Sequence, residues 1–145
     1  MRIKVAPYAI TPTRSHPTDG GLDLYTYCDV TIPPKGSRVI NTGVAVELPH
    51  NTCGLLVSKS GLNVKRDMTS TGLIDEGFTG EILVKVYNHG YEAYTFKAGD
   101  KVSQLLVLPV LYPTIELADD IEGGPRGKNG YGSSGKQKGG TVWEI

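Results

Sequence analysis

The sequence predicts an all-β domain with at most one short helix, and three observations carry that prediction. The 19 Gly and nine Pro make up about one residue in five, against roughly 12% in an average protein, so long helices have no room. The longest segment free of both residues runs from Leu22 to Ile32, and its Leu22, Leu24 and β-branched neighbours read as strand. Short apolar or alternating runs recur at regular spacing between turn signals, the pattern of a sandwich, barrel or jelly roll.

Taken in order, the expected strands are Arg2 to Val5, Leu22 to Ile32, Arg38 to Thr42, Val44 to Leu48, Leu55 to Val57, Glu81 to Asn88 and Lys101 to Val110. In the sixth, Ile82, Val84 and Val86 alternate with Leu83, Lys85 and Tyr87. One face therefore meets a core while the other is suited to a partner subunit. A short helix is expected after Ser60 as N-cap, continuing through Leu62 to Arg66. Gly72 to Glu81 reads as a tight hairpin whose tip displays Asp75, Glu76 and Phe78 between glycines.

Composition changes at Gly123. The last 23 residues hold eight Gly, four Lys or Arg and one Glu, too little apolar surface for a core. Residues 1–122 are thus expected as the folded domain and 123–145 as an appended tail. Composition alone places disorder first for this tail. The alternative is a flexible arm that orders over an anionic ligand through its backbone N–H groups and its Arg and Ser side chains.

The chain has 145 residues with 15 basic and 15 acidic side chains, which suits one domain and supplies no global field to hold a polyanion. Avid nucleic-acid or membrane binding is not expected. No apolar run reaches transmembrane length and no secretory-type N-terminus is present, so a cytoplasmic location is predicted. Cys28 and Cys53 lie in no CxxC and are expected as buried free thiols. His16, His50 and His89 stand apart between breakers, which predicts surface loop positions and no zinc site.

Five segments carry more. These are Gly20 to Leu24 (GGLDL), Ser58 to Leu62 (SKSGL), Gly72 to Glu81 (GLIDEGFTGE), Gly99 to Leu105 (GDKVSQL) and Arg126 to Gly135 (RGKNGYGSSG). Singly each is weak. In this order and across nearly the whole chain, they resemble the five motifs of the trimeric dUTPases.

The resemblance implies a distorted jelly-roll, barrel-like subunit, a homotrimer, and active sites assembled from motifs of more than one chain. The reaction it implies is hydrolysis of dUTP to dUMP and pyrophosphate, keeping uracil out of DNA and supplying dUMP for dTMP synthesis. Mg²⁺ is expected to arrive on the triphosphate, in keeping with a sequence that has no evident metal cluster. Asp75 is similar to the general base that activates a water for in-line attack on the α-phosphorus. Glu76 is expected to point away from it. Backbone groups around Gly72 and Leu73 would read the uracil edge. Phe78 stands where the family usually has a Tyr against the deoxyribose.

On the phosphate side, Ser60 and Gly61 resemble the second-motif donors. Lys59 replaces the usual Arg, exchanging a planar fork for a point charge. Gln104 resembles the fourth-motif amide. Asp23 resembles the first-motif carboxylate that positions metal-bound waters or a basic partner. In the tail, which the resemblance makes a lid, Tyr131 is similar to the aromatic that stacks on uracil. Arg126, Gly132, Ser133 and Ser134 are similar to the elements that wrap the triphosphate. Thr69 stands where an Asn often lies. Residues 136–145 run past the motif and have no functional reading. Two rival readings are a dCTP deaminase, disfavoured by the Arg126 to Gly135 arm, and a non-catalytic trimeric β module.

Overall fold

A computed structural model describes residues 1–121, 123, 124 and 127. Met1–Tyr112 form one compact unit and the chain from Pro113 a second. Within the second, residues 113–121 are exposed and carry no regular secondary structure.

The first unit contains nine strands and one helix: β1 (Arg2–Val5), β2 (Gly21–Tyr25), β3 (Val30–Ile32), β4 (Ser37–Glu47), β5 (Thr52–Val57), α1 (Ser60–Arg66), β6 (Met68–Ile74), β7 (Glu81–Asn88), β8 (Tyr94–Phe96) and β9 (Lys101–Pro109). Seven form a sheet in the order β1-β4-β7-β6-β5-β9-β2, and β3 pairs with β8. Every pairing is antiparallel. The large sheet curls into a half barrel, so the fold is the expected all-β type with one short helix.

Alternation places the core. Ile82, Val84 and Val86 of β7 are buried against Ile40, Val44 and Val46 of β4 and against Phe96 of β8. Leu83 and Tyr87 on the other face of β7 stay 49% and 38% exposed, leaving apolar area that a monomer does not use.

Several expectations need correction. Leu22 to Ile32 is two strands, because Thr26 Oγ1 donates to the Cys28 carbonyl at 2.7 Å and turns the chain between them. Arg38 to Thr42 and Val44 to Leu48 are instead one strand, β4, bent at Gly43. There the pairing with β7 slips and φ is +66°. A Cβ on Gly43 would lie 2.4 Å from that of Ala9, so only glycine fits this bend. Strands β6 and β8 were not foreseen.

The helix begins at Ser60 with Lys59 as its N-cap, and no side chain caps it. Ser60 is therefore its first residue, not its cap. Seven residues are too few to be helical alone; Leu62 packing on the core holds them. Neither cysteine is buried: Cys28 is exposed, Cys53 is half-buried and both are free thiols. His16, His50 and His89 are exposed loop residues, as expected. No described helix is long and apolar enough to cross a membrane.

Candidate functional site

The site is built on the β2-β9-β5-β6 side of the sheet. Strand β9 lies between β2 and β5, with Gln104 opposite Asp23 on one side and Val57 on the other. Val57 in turn faces Thr71 of β6. A column of hydroxyls ties these strands together. Ser70 N–H donates to Ser58 Oγ at 2.8 Å, Ser70 and Ser103 share a hydrogen bond of 2.9 Å, and Ser103 Oγ donates to the Val57 carbonyl at 3.0 Å. Buried hydroxyls paired in this way fix strand register as an apolar contact would not.

Above that column, Asp23 is only 4% exposed and holds two cations. Lys59 Nζ binds its Oδ1, and Lys101 Nζ lies 2.6 Å from its Oδ2. Ser15 Oγ donates to Oδ2 at 3.3 Å and accepts from Lys101 Nζ at 2.8 Å. Gln104 Nε2 donates to the Ser58 carbonyl at 3.3 Å. The structure thus brings Asp23, Lys59 and Gln104 together, and adds Lys101 and Ser15, which no reading of the sequence had singled out. Lys101 lies in the fourth motif three residues before Gln104. Plain alternation would put the two on opposite faces, and Lys101 comes to the side of Asp23 only because the β2–β9 register slips between Leu24 and Tyr25, which no local pattern reveals.

Two ammonium groups on one carboxylate leave a net positive cluster, suited to phosphate oxygens. Burial opposes the charged form of Asp23. The hydrogen bonds and charges of Lys101 and Lys59 outweigh it and hold the carboxyl below its ordinary range. The hydrogen bond to Asp23 raises Lys101 in turn. The depressed carboxyl contributes stability above the ordinary aspartate pKa of about 3.9, and that contribution disappears as pH falls through the folded value. The raised lysine acts oppositely, losing its contribution as pH rises through its own folded value. Asp23→Asn is accordingly expected to melt several degrees lower than the parent at pH 7. Thermal unfolding from pH 7 to 3 should show the gap closing in acid, and a constant gap would disprove the charge origin.

Ser60 and Gly61 open α1. Both are exposed, and the space beyond Gly61 Cα is empty to 4 Å. Their N–H groups belong to the first helical turn, which has no intrahelical acceptors for its donors.

The second half of the site follows from a change of partner in β6. Met68–Ser70 pair with β7, but from Thr71 the strand leaves β7 and pairs only with β5. The expected tight hairpin is therefore splayed. One edge of the Gly72 and Leu73 backbone has no strand partner among the described residues, and Leu73 is 63% exposed. Such an edge pairs with a planar donor–acceptor ligand as it would with another strand. Asp75, exposed, begins a turn closed by the Phe78 N–H donating to its carbonyl at 3.0 Å. Phe78, 44% exposed, lays its ring over Gly80, where a Cβ would meet Cζ at 2.7 Å. Thr69 shares a 2.7 Å hydrogen bond with His89 Nε2.

Glu76 turns toward other elements. It accepts from Asn51 N–H at 3.0 Å and from Tyr112 Oη at 2.9 Å, and pairs with His50 Nδ1 at 2.6 Å. The Tyr112 hydrogen bond leads the contacts that keep its carboxyl below the usual range against burial.

Register separates the two halves. From Asp23 to Thr71 is three strand spacings, and Asp75 lies four residues further along the chain, just past the end of β6. Strands β9 and β5 thus stand between the strand that carries Asp23 and the strand that leads to Asp75. Arg126, Tyr131, Gly132, Ser133 and Ser134 lie outside the described residues. Among the described residues, no three His, Cys, Asp or Glu converge to hold a metal ion.

A curled antiparallel sheet, a cationic cluster and a strand edge left without a strand partner together define a jelly-roll-type protein suited to an anionic ligand with a planar base. The family model described as dUTPase matches residues 7–135. A deoxyuridine 5'-triphosphate nucleotidohydrolase of Gloeothece citriformis is 38% identical over 141 residues, covering 93% of this chain and 97% of its own. One from Clostridioides difficile is 37% identical, covering 88% and 91%. Among solved structures, the Staphylococcus bacteriophage 80alpha dUTPase with dUpNHpp superposes with a TM-score of 0.86 at 28% identity, covering 93% of this chain and 98% of its own. A variant dUTPase of phage phi11 of S. aureus, described with a structural Mg(II) ion, gives 0.77 at 27% identity, covering 82% and 96%. The chain belongs to the dUTPase family.

Proposed function

We propose that this chain is a dUTP diphosphatase, hydrolysing dUTP to dUMP and pyrophosphate in the cytoplasm as a homotrimer whose sites combine residues of different subunits. The observation that carries the shared site is the separation of its halves. Within one chain β9 and β5 separate Asp75 from the Lys59–Asp23–Lys101 cluster, and a neighbour's cluster would complete the site. The exposed Leu83 and Tyr87 of β7 supply apolar surface for the contact.

In this reading Asp75 orients a water and takes its proton as the oxygen attacks the α-phosphorus in line. Lys59, Lys101, Gln104 and the donors at Ser60 and Gly61 of a neighbouring subunit neutralise and align the leaving pyrophosphate. Mg²⁺ bound through the phosphates supplies further charge neutralisation. The donor set fits an ion delivered in this way, because both oxygens of Asp23 are already engaged by lysines. Asp23 would then help hold the ion only indirectly, by accepting from its bound waters, while Lys59 and Lys101 would meet the phosphates. Residues 1–122 serve as the catalytic domain and 123–145 as the arm that closes over the nucleotide. In that arm Tyr131 stacks on the base, and Arg126, Gly132, Ser133 and Ser134 bind phosphate.

The open backbone edge at Gly72 and Leu73 reads uracil by pairing with N3–H and O4. Cytosine reverses that donor pattern and would leave polar groups unpaired. Incubation with Mg²⁺ and each nucleoside triphosphate should release pyrophosphate from dUTP alone, and equal turnover of dCTP would overturn the assignment.

Phe78 excludes a ribose 2′-OH by volume alone, since it lacks a phenolic oxygen. Phe78→Ala is expected to lower dUTP turnover and shrink the dUTP to UTP ratio of kcat/KM by about tenfold, the scale of one or two methylene-sized contacts. An unchanged ratio would place sugar discrimination elsewhere.

A further inference from the structure

We infer that Glu76 is a positioning residue for Asp75: its carboxylate ties the Asp75–Phe78 turn to Asn51 in the β4–β5 turn and to Tyr112 beyond the end of β9. The inference rests on the hydrolase reading above for what Asp75 does, but the clamp itself is a matter of geometry. Asp75 is exposed and enters its turn through its backbone carbonyl, which accepts from Phe78 N–H. The direction of its side chain is therefore set by the backbone on either side. Toward the N-terminus that backbone is held by β6 up to Ile74, which pairs with Gly54 of β5. Toward the C-terminus β7 does not begin until Glu81. Between them the turn has one anchored side chain at its second position, Glu76.

The anchor is well founded. Glu76 Oε2 accepts from Asn51 N–H at 3.0 Å and from Tyr112 Oη at 2.9 Å, while Oε1 lies 2.6 Å from His50 Nδ1. Asn51 sits at a φ of +57°, and its carbonyl accepts from Val110 N–H at 2.8 Å. The acceptor of the clamp is thus on the catalytic turn, and its donors are on two elements already bonded to each other. His50 is 96% exposed at its side chain and Tyr112 62% exposed, so the Asn51 backbone bond carries most of the anchoring, Tyr112 adds a second support and the histidine contact is peripheral. Losing the carboxylate frees the peptide between Asp75 and Glu76 to rotate. A displacement near 1 Å at a base costs about 10²-fold in rate without touching the substrate.

The test compares the parent with Glu76→Ala, Glu76→Gln and Tyr112→Phe. Glu76→Ala should lose kcat for dUTP by about tenfold or more while KM moves by less than about twofold, the pattern of a lost transition-state alignment. Glu76→Gln should recover most of that loss, because its amide oxygen still accepts from Asn51 and Tyr112. Tyr112→Phe should fall between the two. Amide exchange at Phe78, read by NMR, should speed up about tenfold in Glu76→Ala and return toward the parent rate in Glu76→Gln. Unchanged kcat and exchange in Glu76→Ala would overturn the inference. So would a joint loss of kcat, KM and melting temperature that Glu76→Gln does not relieve, since that marks a general structural role. If the parent itself fails to turn over dUTP, the proposed function falls, and Phe78 exchange alone decides whether the clamp exists.

Discussion

In Asp75→Asn, dUTP turnover is expected to drop by about 10²–10⁴-fold, the usual worth of a positioned general base. The amide keeps the shape of the carboxylate and still accepts a hydrogen bond from water, but it cannot take the proton. Binding should survive, because Gly72, Leu73 and Phe78 lie on the same stretch of chain and are untouched. Removing one negative charge beside a triphosphate should leave affinity for a non-hydrolysable imido analogue equal or tighter. Pyrophosphate release and calorimetric titration of the analogue separate the two effects. Parent-like turnover would remove Asp75 from its role.

Deleting residues 124–145 is the second change with a large expected effect. The deleted stretch holds seven Gly in 22 residues, with only Tyr131, Val142, Trp143 and Ile145 as large apolar side chains, too few to build a core. Its loss should cost little stability, and sedimentation of both full and shortened chains should give the mass of three subunits. Hydrolysis should fall steeply. Arg126, Tyr131, Ser133 and Ser134 would leave together, removing charge neutralisation that strengthens in the transition state and a stacking contact worth about 1–3 kcal/mol. Affinity for dUTP should drop more than affinity for dUMP, since more of those residues are suited to phosphate than to base. Full turnover by the shortened chain would make the tail a bystander.

The strands most legible in the sequence are those whose faces differ. Glu81–Asn88 has its expected bounds because β7 alternates between buried and exposed from Ile82 onward. Arg2–Val5 also has its expected bounds, though its two faces do not differ in burial. Strand β6 was missed for the opposite reason. Its inward positions include Ser70, which is buried on a hydroxyl column with Ser58 and Ser103, and a polar core position erases the apolar period that reveals a strand. Strand β8 is three residues long, too short to show any period. The bend at Gly43 was legible as a break, but its meaning was not: a glycine within a strand signals a bulge as readily as an end.

Among the site residues, motif order alone revealed Asp23, Lys59 and Gln104. That they share one pocket depends on β2, β5 and β9 lying side by side, which local sequence does not encode. Lys101 shows the limit most plainly. As a lone lysine at a strand start it looks like any solvated charge; only the register slip that sets it opposite Tyr25, two positions along β2 from Asp23, brings it to that carboxylate. Glu76 was read as facing away from Asp75, but the residues that receive it, Asn51 and Tyr112, are 25 and 36 positions distant.

The pairing of β2 with β9 also sets a schedule. Asp23 emerges early in synthesis and remains without its strand neighbour until Gln104 has been made, about 4–16 s later at common elongation rates of about 5–20 residues per second. During that interval β2 is an unpaired edge, and the closing contact is of high sequence separation, the kind that slows folding by the entropy of the loop it must shut. The cationic pocket is therefore among the last features to form. A chain truncated before β9 carries Asp23 and Lys59 but lacks Lys101 and Gln104, and so holds only part of the cluster.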